Sequence, residues 1–317
     1  MPWILGAGFK DIYAFYFLPA LFVAIGFLFP QLLTLPLLGL IIYQWFDVGH
    51  AFPTAFRAFP RWGTSLLYSA WLPGMIFALL CLGFFLAPVV TAIAIVYFTV
   101  FHHIRQFYGI CRWYQHLNNH LSRASGWFIY LLTILPLILL HFRTDLNLSS
   151  FAGFEVPRFT NRYILLVVQL VYAGTLIAWA IFEWRSSLSR KFEANRVMSI
   201  LFPALLHFWC FTQAATLETI LFPPLIIHAV TYFFVVARAS AKKDVNQHSY
   251  LFKVVVVALM GGLFIGFIED TGLELKSAGW AAPLLAIAFT PAIWHYLIDG
   301  FVWKRADMVV TSNSGIN

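Results

Sequence analysis

The sequence has 317 residues, of which 61% are hydrophobic and only 10% charged. Its mean hydropathy is +0.81; soluble domains carry about 25% charged residues, so a soluble globular fold is excluded and an integral membrane protein is indicated. The net charge of +7 rests on too few charged groups to form a nucleic-acid-binding face, and it reads instead as a sign of membrane orientation.

The first residues, MPWILGAGFKDIYAF, lack a basic stretch and a small-residue cleavage site, so no removable signal peptide is expected. A helix crossing a bilayer needs about 20 apolar residues at about 1.5 Å each. Such runs lie near 12–29, 31–50, 64–86, 88–108, 126–142, 163–184, 198–217, 219–237, 250–269 and 281–303. The expected fold is therefore an all-α, polytopic bundle of about ten transmembrane helices forming a single transmembrane domain over 1–317. Phe29-Pro30, Ala87-Pro88 and Glu218 mark very short connections, each read as a tight helical hairpin.

Lysine and arginine test this arrangement independently of hydropathy. With both termini cytoplasmic, only Arg143, Arg158, Arg162 and Lys276 fall outside, and the other sixteen of the twenty fall inside. That asymmetry is what the positive-inside rule demands of an even number of spans. The stretch 143–162 is then the one sizeable exterior loop. The localisation expected is a multi-pass membrane protein, in the inner membrane if the cell is bacterial.

Ionisable groups inside a helical bundle are costly unless partnered, so they mark the place to look for a site. The second expected helix carries Asp47 and His50, three residues apart and on one face. The fourth carries His102 and His103, followed by Arg105 and Gln106; the seventh carries His207, the eighth His228, and the tenth His295 with Asp299 four residues on. His207 and His228 lie about 13 Å, and His295 about 12 Å, from the cytoplasmic edge. Imidazoles from five helices thus share one half of the membrane, and neutral imidazole with carboxylate is the usual ligand set for iron, zinc and copper. A single buried histidine is more often a helix-packing residue; six in one layer carry the metal reading.

The candidate ligands are His50, His102, His103, His207, His228 and His295, with Asp47 or Asp299 as a carboxylate ligand or as the partner fixing a ring tautomer. His116, His120, His141 and His248 are expected to be solvated. Pro223, Pro224, Gly261, Gly262 and Pro291 are expected to bend or loosen their helices. Cys81, Cys111 and Cys210 lack CxxC spacing and imply neither a disulfide framework nor a thiolate zinc site.

In ligand type and location this arrangement is similar to membrane iron oxygenases that bind metal through histidines on several transmembrane helices, among them lipid desaturases and hydroxylases and carotene-cleaving oxygenases. The histidine boxes of the desaturases are not reproduced: HH at 102–103 has no histidine three residues before it, and HxxxH occurs only at 116–120. The resemblance implies iron, one ion or two, with haem and zinc as lesser alternatives. It also implies dioxygen chemistry on a lipid or isoprenoid chain entering from the bilayer, with a cytoplasmic electron donor. The competing expectations are a metal-ion or proton-coupled transporter, a b-type haem protein ligated by His207 and His228, and a non-oxidative lipid transferase.

Overall fold

The computed structural model describes residues 3–28, 45–46, 48–55, 71–145, 157–189, 192–214, 217–240, 247–274 and 281–302. Among these residues there is helix and no strand, as a lipid environment requires of a chain that must satisfy its backbone hydrogen bonds within each segment. In chain order the elements are α1 (Gly8–Ile12), a π-helical turn (Tyr13–Phe17), α2 (Leu18–Leu28), a 3-10 helix (Gly49–Thr54), α3 (Leu72–Leu86), α4 (Pro88–Leu117), α5 (Arg123–Leu140), α6 (Arg162–Ser189), α7 (Ala194–Thr212), α8 (Leu217–Ser240), α9 (Gln247–Glu274) and α10 (Ala281–Val302).

Eight segments among the described residues are long and apolar enough to cross a membrane, and they coincide with eight of the ten expected spans. Of the other two, residues 31–44 and 47 of the span at 31–50 lie outside the described residues. The span at 64–86 is represented by the 15-residue α3. The side chains of Ile164, Leu166, Val167, Leu170 and Ile177 on α6 are exposed, an apolar surface that lipid covers in a protein of this composition. These features identify a multi-pass membrane helical protein.

Several local expectations are corrected. Helix α4 continues to Leu117, well past the expected end near 108, because Cys111, Trp113, Tyr114 and Gln115 are buried and give this polar-looking stretch an inward face. It stops where Asn119 takes a left-handed φ of 53° and His120 N–H donates to Gln115 O, a common helix C-terminus. Ser122 then caps α5 by accepting from Ser125 N–H. Pro223, Pro224, Gly261, Gly262 and Pro291, expected to bend or loosen their helices, all lie within α8, α9 and α10.

The chain divides into two compact units, Met1–Tyr16 with Val100–Pro224, and Phe17–Thr99 with Leu225–Asn317. In the first, α5 packs against α6 and α7. Asp11 is fully buried there, accepting from Ile4 N–H at 2.8 Å, Leu5 N–H at 2.7 Å and Tyr114 O–H at 2.6 Å; buried carboxylates are tolerated only with such partners. His141, expected to be solvated, is buried. Its Nδ1 donates to Pro157 O at 2.6 Å and its ring meets Phe159, because 157–160 returns across the end of α5. His120 is half-buried and pairs with Glu193 at 3.3 Å. The side chain of His248 lies outside the described residues.

In the second unit α10 packs against α3 and α9, and the 3-10 helix lies against α9 and α10. Val48, Ile265 and Ala288 form a buried apolar cluster with Phe52 and Ile268 against it. Gly261 is a contact point: a Cβ there would come within 3.0 Å of the Phe52 ring. The absence of a side chain is what lets α9 approach the 3-10 segment closely.

Candidate metal centre

His50 stands on the 3-10 helix GHAFPT, not on the expected α-helix. Pro53 has no N–H to donate back to Gly49, which disfavours α-helical continuation, and the tighter winding turns His50 into the second unit. His228 comes from α8 and His295 from α10. All three rings have no solvent exposure, and each offers one ring nitrogen within 4.8 Å of the others. The His50 ring meets those of His228 and His295 edge-on, with centroids 4.6 Å and 4.9 Å away.

The tautomers of two of these rings follow from what surrounds them. His50 Nδ1 lies 2.7 Å from Phe46 O; a carbonyl can only accept, so Nδ1 carries the proton and Nε2 the lone pair. For His295 the assignment comes through two hydroxyls. Tyr232 O–H donates to Asp299 Oδ1 at 3.1 Å, so Tyr232 accepts from Thr54 Oγ1 at 2.6 Å. Thr54 has then used its only proton and accepts from His295 Nδ1 at 2.6 Å. Asp299 Oδ1 itself lies 3.5 Å from the same Nδ1. Either route places the proton on Nδ1 and leaves His295 Nε2 as the lone-pair nitrogen, as a metal ligand requires.

His228 Nε2 lies 2.9 Å from His50 Nε2. Because the His50 nitrogen offers only a lone pair, His228 donates its Nε2 proton to it. Two imidazole nitrogens each about 2.05 Å from one ion can also lie this close together, so the spacing suits ligands of one ion. Tyr232, one turn beyond His228 on α8, stacks on its ring at 6.1 Å and meets the His295 ring edge-on at 4.9 Å.

Of the eight residues expected to bind metal, the second unit thus gathers His50, His228 and His295, with Asp299 linked to them through Tyr232 and Thr54. Asp47 lies outside the described residues. His102, His103 and His207 belong to the first unit and are all buried. His207 Nδ1 donates to Pro203 O at 2.7 Å, and its ring is flanked edge-on by Phe107 and Phe211. Thr54 and Tyr232 were not among the candidates. Their signal is spacing, since each lies four residues from a candidate ligand, His50 and His228.

No protein-family model, no curated protein and no solved structure matches the chain.

Proposed function

We propose that this chain is a membrane-embedded, histidine-ligated metalloenzyme, an iron-dependent oxygenase acting on a lipid or isoprenoid chain. One observation carries the reading: three fully buried imidazoles converge from separate segments, with the lone pairs of His50 and His295 fixed at Nε2 by acceptors behind them. Buried neutral imidazoles gathered within ligand distance of one another are a donor set that divalent ions take.

His50, His228 and His295 are the proposed ligands. Asp299 acts behind His295 and not as a ligand. Bound iron would supply dioxygen activation. The chain's own part is to hold the ion, fix its imidazoles and keep water out with the surrounding aromatic rings. The proposed topology has ten spans with both termini cytoplasmic; the proposed electron donor is then cytoplasmic and the substrate enters sideways from the bilayer.

Metal analysis of the purified full-length protein, joined to comparison of lipid extracts from cells with and without the gene and with and without oxygen, tests this function. Iron together with an oxygen-dependent lipid change is expected. A lipid change independent of oxygen would replace it with a transferase. The chain of protonatable groups from His295 to Asp299 favours one other reading, proton-coupled metal transport, which metal-dependent growth without any lipid change would establish.

A further inference from the structure

The hydrogen-bond chain behind His295 has a polarity. Its last member, Asp299, is the most exposed, its side chain retaining 12% of its accessible surface while His295 retains none. Each intermediate hydroxyl has a single proton, and these hydrogen bonds use both in one direction, from imidazole to carboxylate. A carboxylate that only accepts at one end forces every donor upstream to point toward it. Four residues on three separate segments therefore behave as one unit with a single proton arrangement.

We propose that Asp299, acting through Tyr232 and Thr54, is the positioning residue that sets the tautomer of His295, and that these two hydroxyls transmit its effect to the metal centre. The proposal rests on the metal reading above. Reversing the terminal group should reverse the chain. Asparagine at 299 is nearly the same shape but can donate through its amide: Asn to Tyr232, Tyr232 to Thr54, Thr54 to His295 Nδ1. The imidazole proton would then sit on Nε2, where it blocks the ligating position.

Four full-length variants in detergent test this: wild type, Asp299→Asn, Thr54→Val, and the double variant, each titrated anaerobically with ferrous iron. Asp299→Asn is expected to weaken iron binding about 10- to 100-fold, the range seen when an outer partner of a metal-bound histidine is removed. In the Thr54→Val background the same change should cost less than in the wild type, because the route through the hydroxyls is cut and only the 3.5 Å contact between Asp299 Oδ1 and His295 Nδ1 is left. Nitrogen-15 spectra of labelled histidine should show the His295 proton on Nδ1 in the wild type and on Nε2 in Asp299→Asn; comparison with a His295→Gln variant assigns the signal, so the readout does not depend on metal. An equal loss in both backgrounds would mean that the carboxylate acts on His295 directly, through its 3.5 Å contact or its charge, and would overturn the proposal, as would an unchanged tautomer. Failure of the wild type to bind iron while the tautomer still switches would overturn the metal reading and leave the chain standing.

Discussion

His50 Nε2 and His228 Nε2 face each other at 2.9 Å although 178 positions separate them in sequence. Since Phe46 O holds the proton of His50 on the far nitrogen, the space between the rings contains one proton shared by two nitrogens. An ion and that proton compete for the same place. The stability of this part of the second unit should therefore depend on which of them is there.

Ligand removal is the direct check. His50→Ala, His228→Ala and His295→Ala are each expected to lower iron retention at least tenfold, while His141→Ala and His207→Phe keep it, since those two rings are engaged with Pro157 O and Pro203 O in the first unit. Iron should be measured per folded protein, because truncating one ring leaves polar neighbours unpaired. Equal iron in all five variants would remove the centre as described.

Metal should also stabilise the fold. An ion that binds only the native state adds about 2.7 kcal/mol at a hundredfold excess over its dissociation constant. Thermal unfolding of the purified protein should shift upward by a few degrees with ferrous iron, and the His228→Ala protein should show a clearly smaller shift at the same iron concentration. A matching shift in that variant would mean that the ion binds elsewhere.

The spans were legible because twenty apolar residues in a row have few alternatives, and eight such segments recur as helices. The convergence of His50, His228 and His295 was legible because buried imidazoles are rare. Other features were hidden by the rules used to read them. Arg196 looked like one of sixteen anchoring charges, yet it is almost fully buried and ion-paired. Asp11 was passed over, because its partner Tyr114 is 103 residues away and no spacing in the sequence signals the pairing. Thr54 and Tyr232 carry no charge, so a search for ionisable groups passed over them. Gly261 looked like a weak point of α9, because nothing in the sequence places Phe52 over it.

That glycine gives a third prediction. Gly261→Ala should force the Phe52 ring and the 3-10 helix away from α9, costing about 1–3 kcal/mol by overpacking and weakening iron binding through displacement of His50, two residues from Phe52. Phe52→Ala in the same chain should restore part of the affinity. Wild-type binding and unfolding by Gly261→Ala would show that the contact is slack.

Orientation can be read at the two ends of α5. Asn119 precedes it and Asp145 follows it, and both are exposed. In a cysteine-free background, Asp145→Cys is expected to react with an impermeant maleimide in intact cells. Asn119→Cys should react only after permeabilisation. The reverse pattern would invert the proposed topology and remove the case for a cytoplasmic electron donor.

The last prediction concerns the charge cluster of the first unit. Arg196 on α7 forks onto both oxygens of Glu183 on α6 at 2.7 Å each, reaches Glu193 at 2.7 Å and touches Ser125 of α5 at 3.2 Å. One guanidinium thus ties three helices together, with two carboxylates that would otherwise repel each other. Losing one partner of a buried ion pair costs about 3–5 kcal/mol, because the other charge stays behind unpaired. Arg196→Met should therefore lower the unfolding temperature sharply. Arg196→Lys should do so by less, since an ammonium keeps the charge but not the planar fork. Replacing all three charged residues together, as Arg196→Met with Glu183→Leu and Glu193→Leu, should recover much of the loss, because no uncompensated charge remains. Iron retention measured on the folded fraction should stay unchanged throughout. A triple variant less stable than Arg196→Met would show that the cluster contributes binding energy beyond satisfying its own charges.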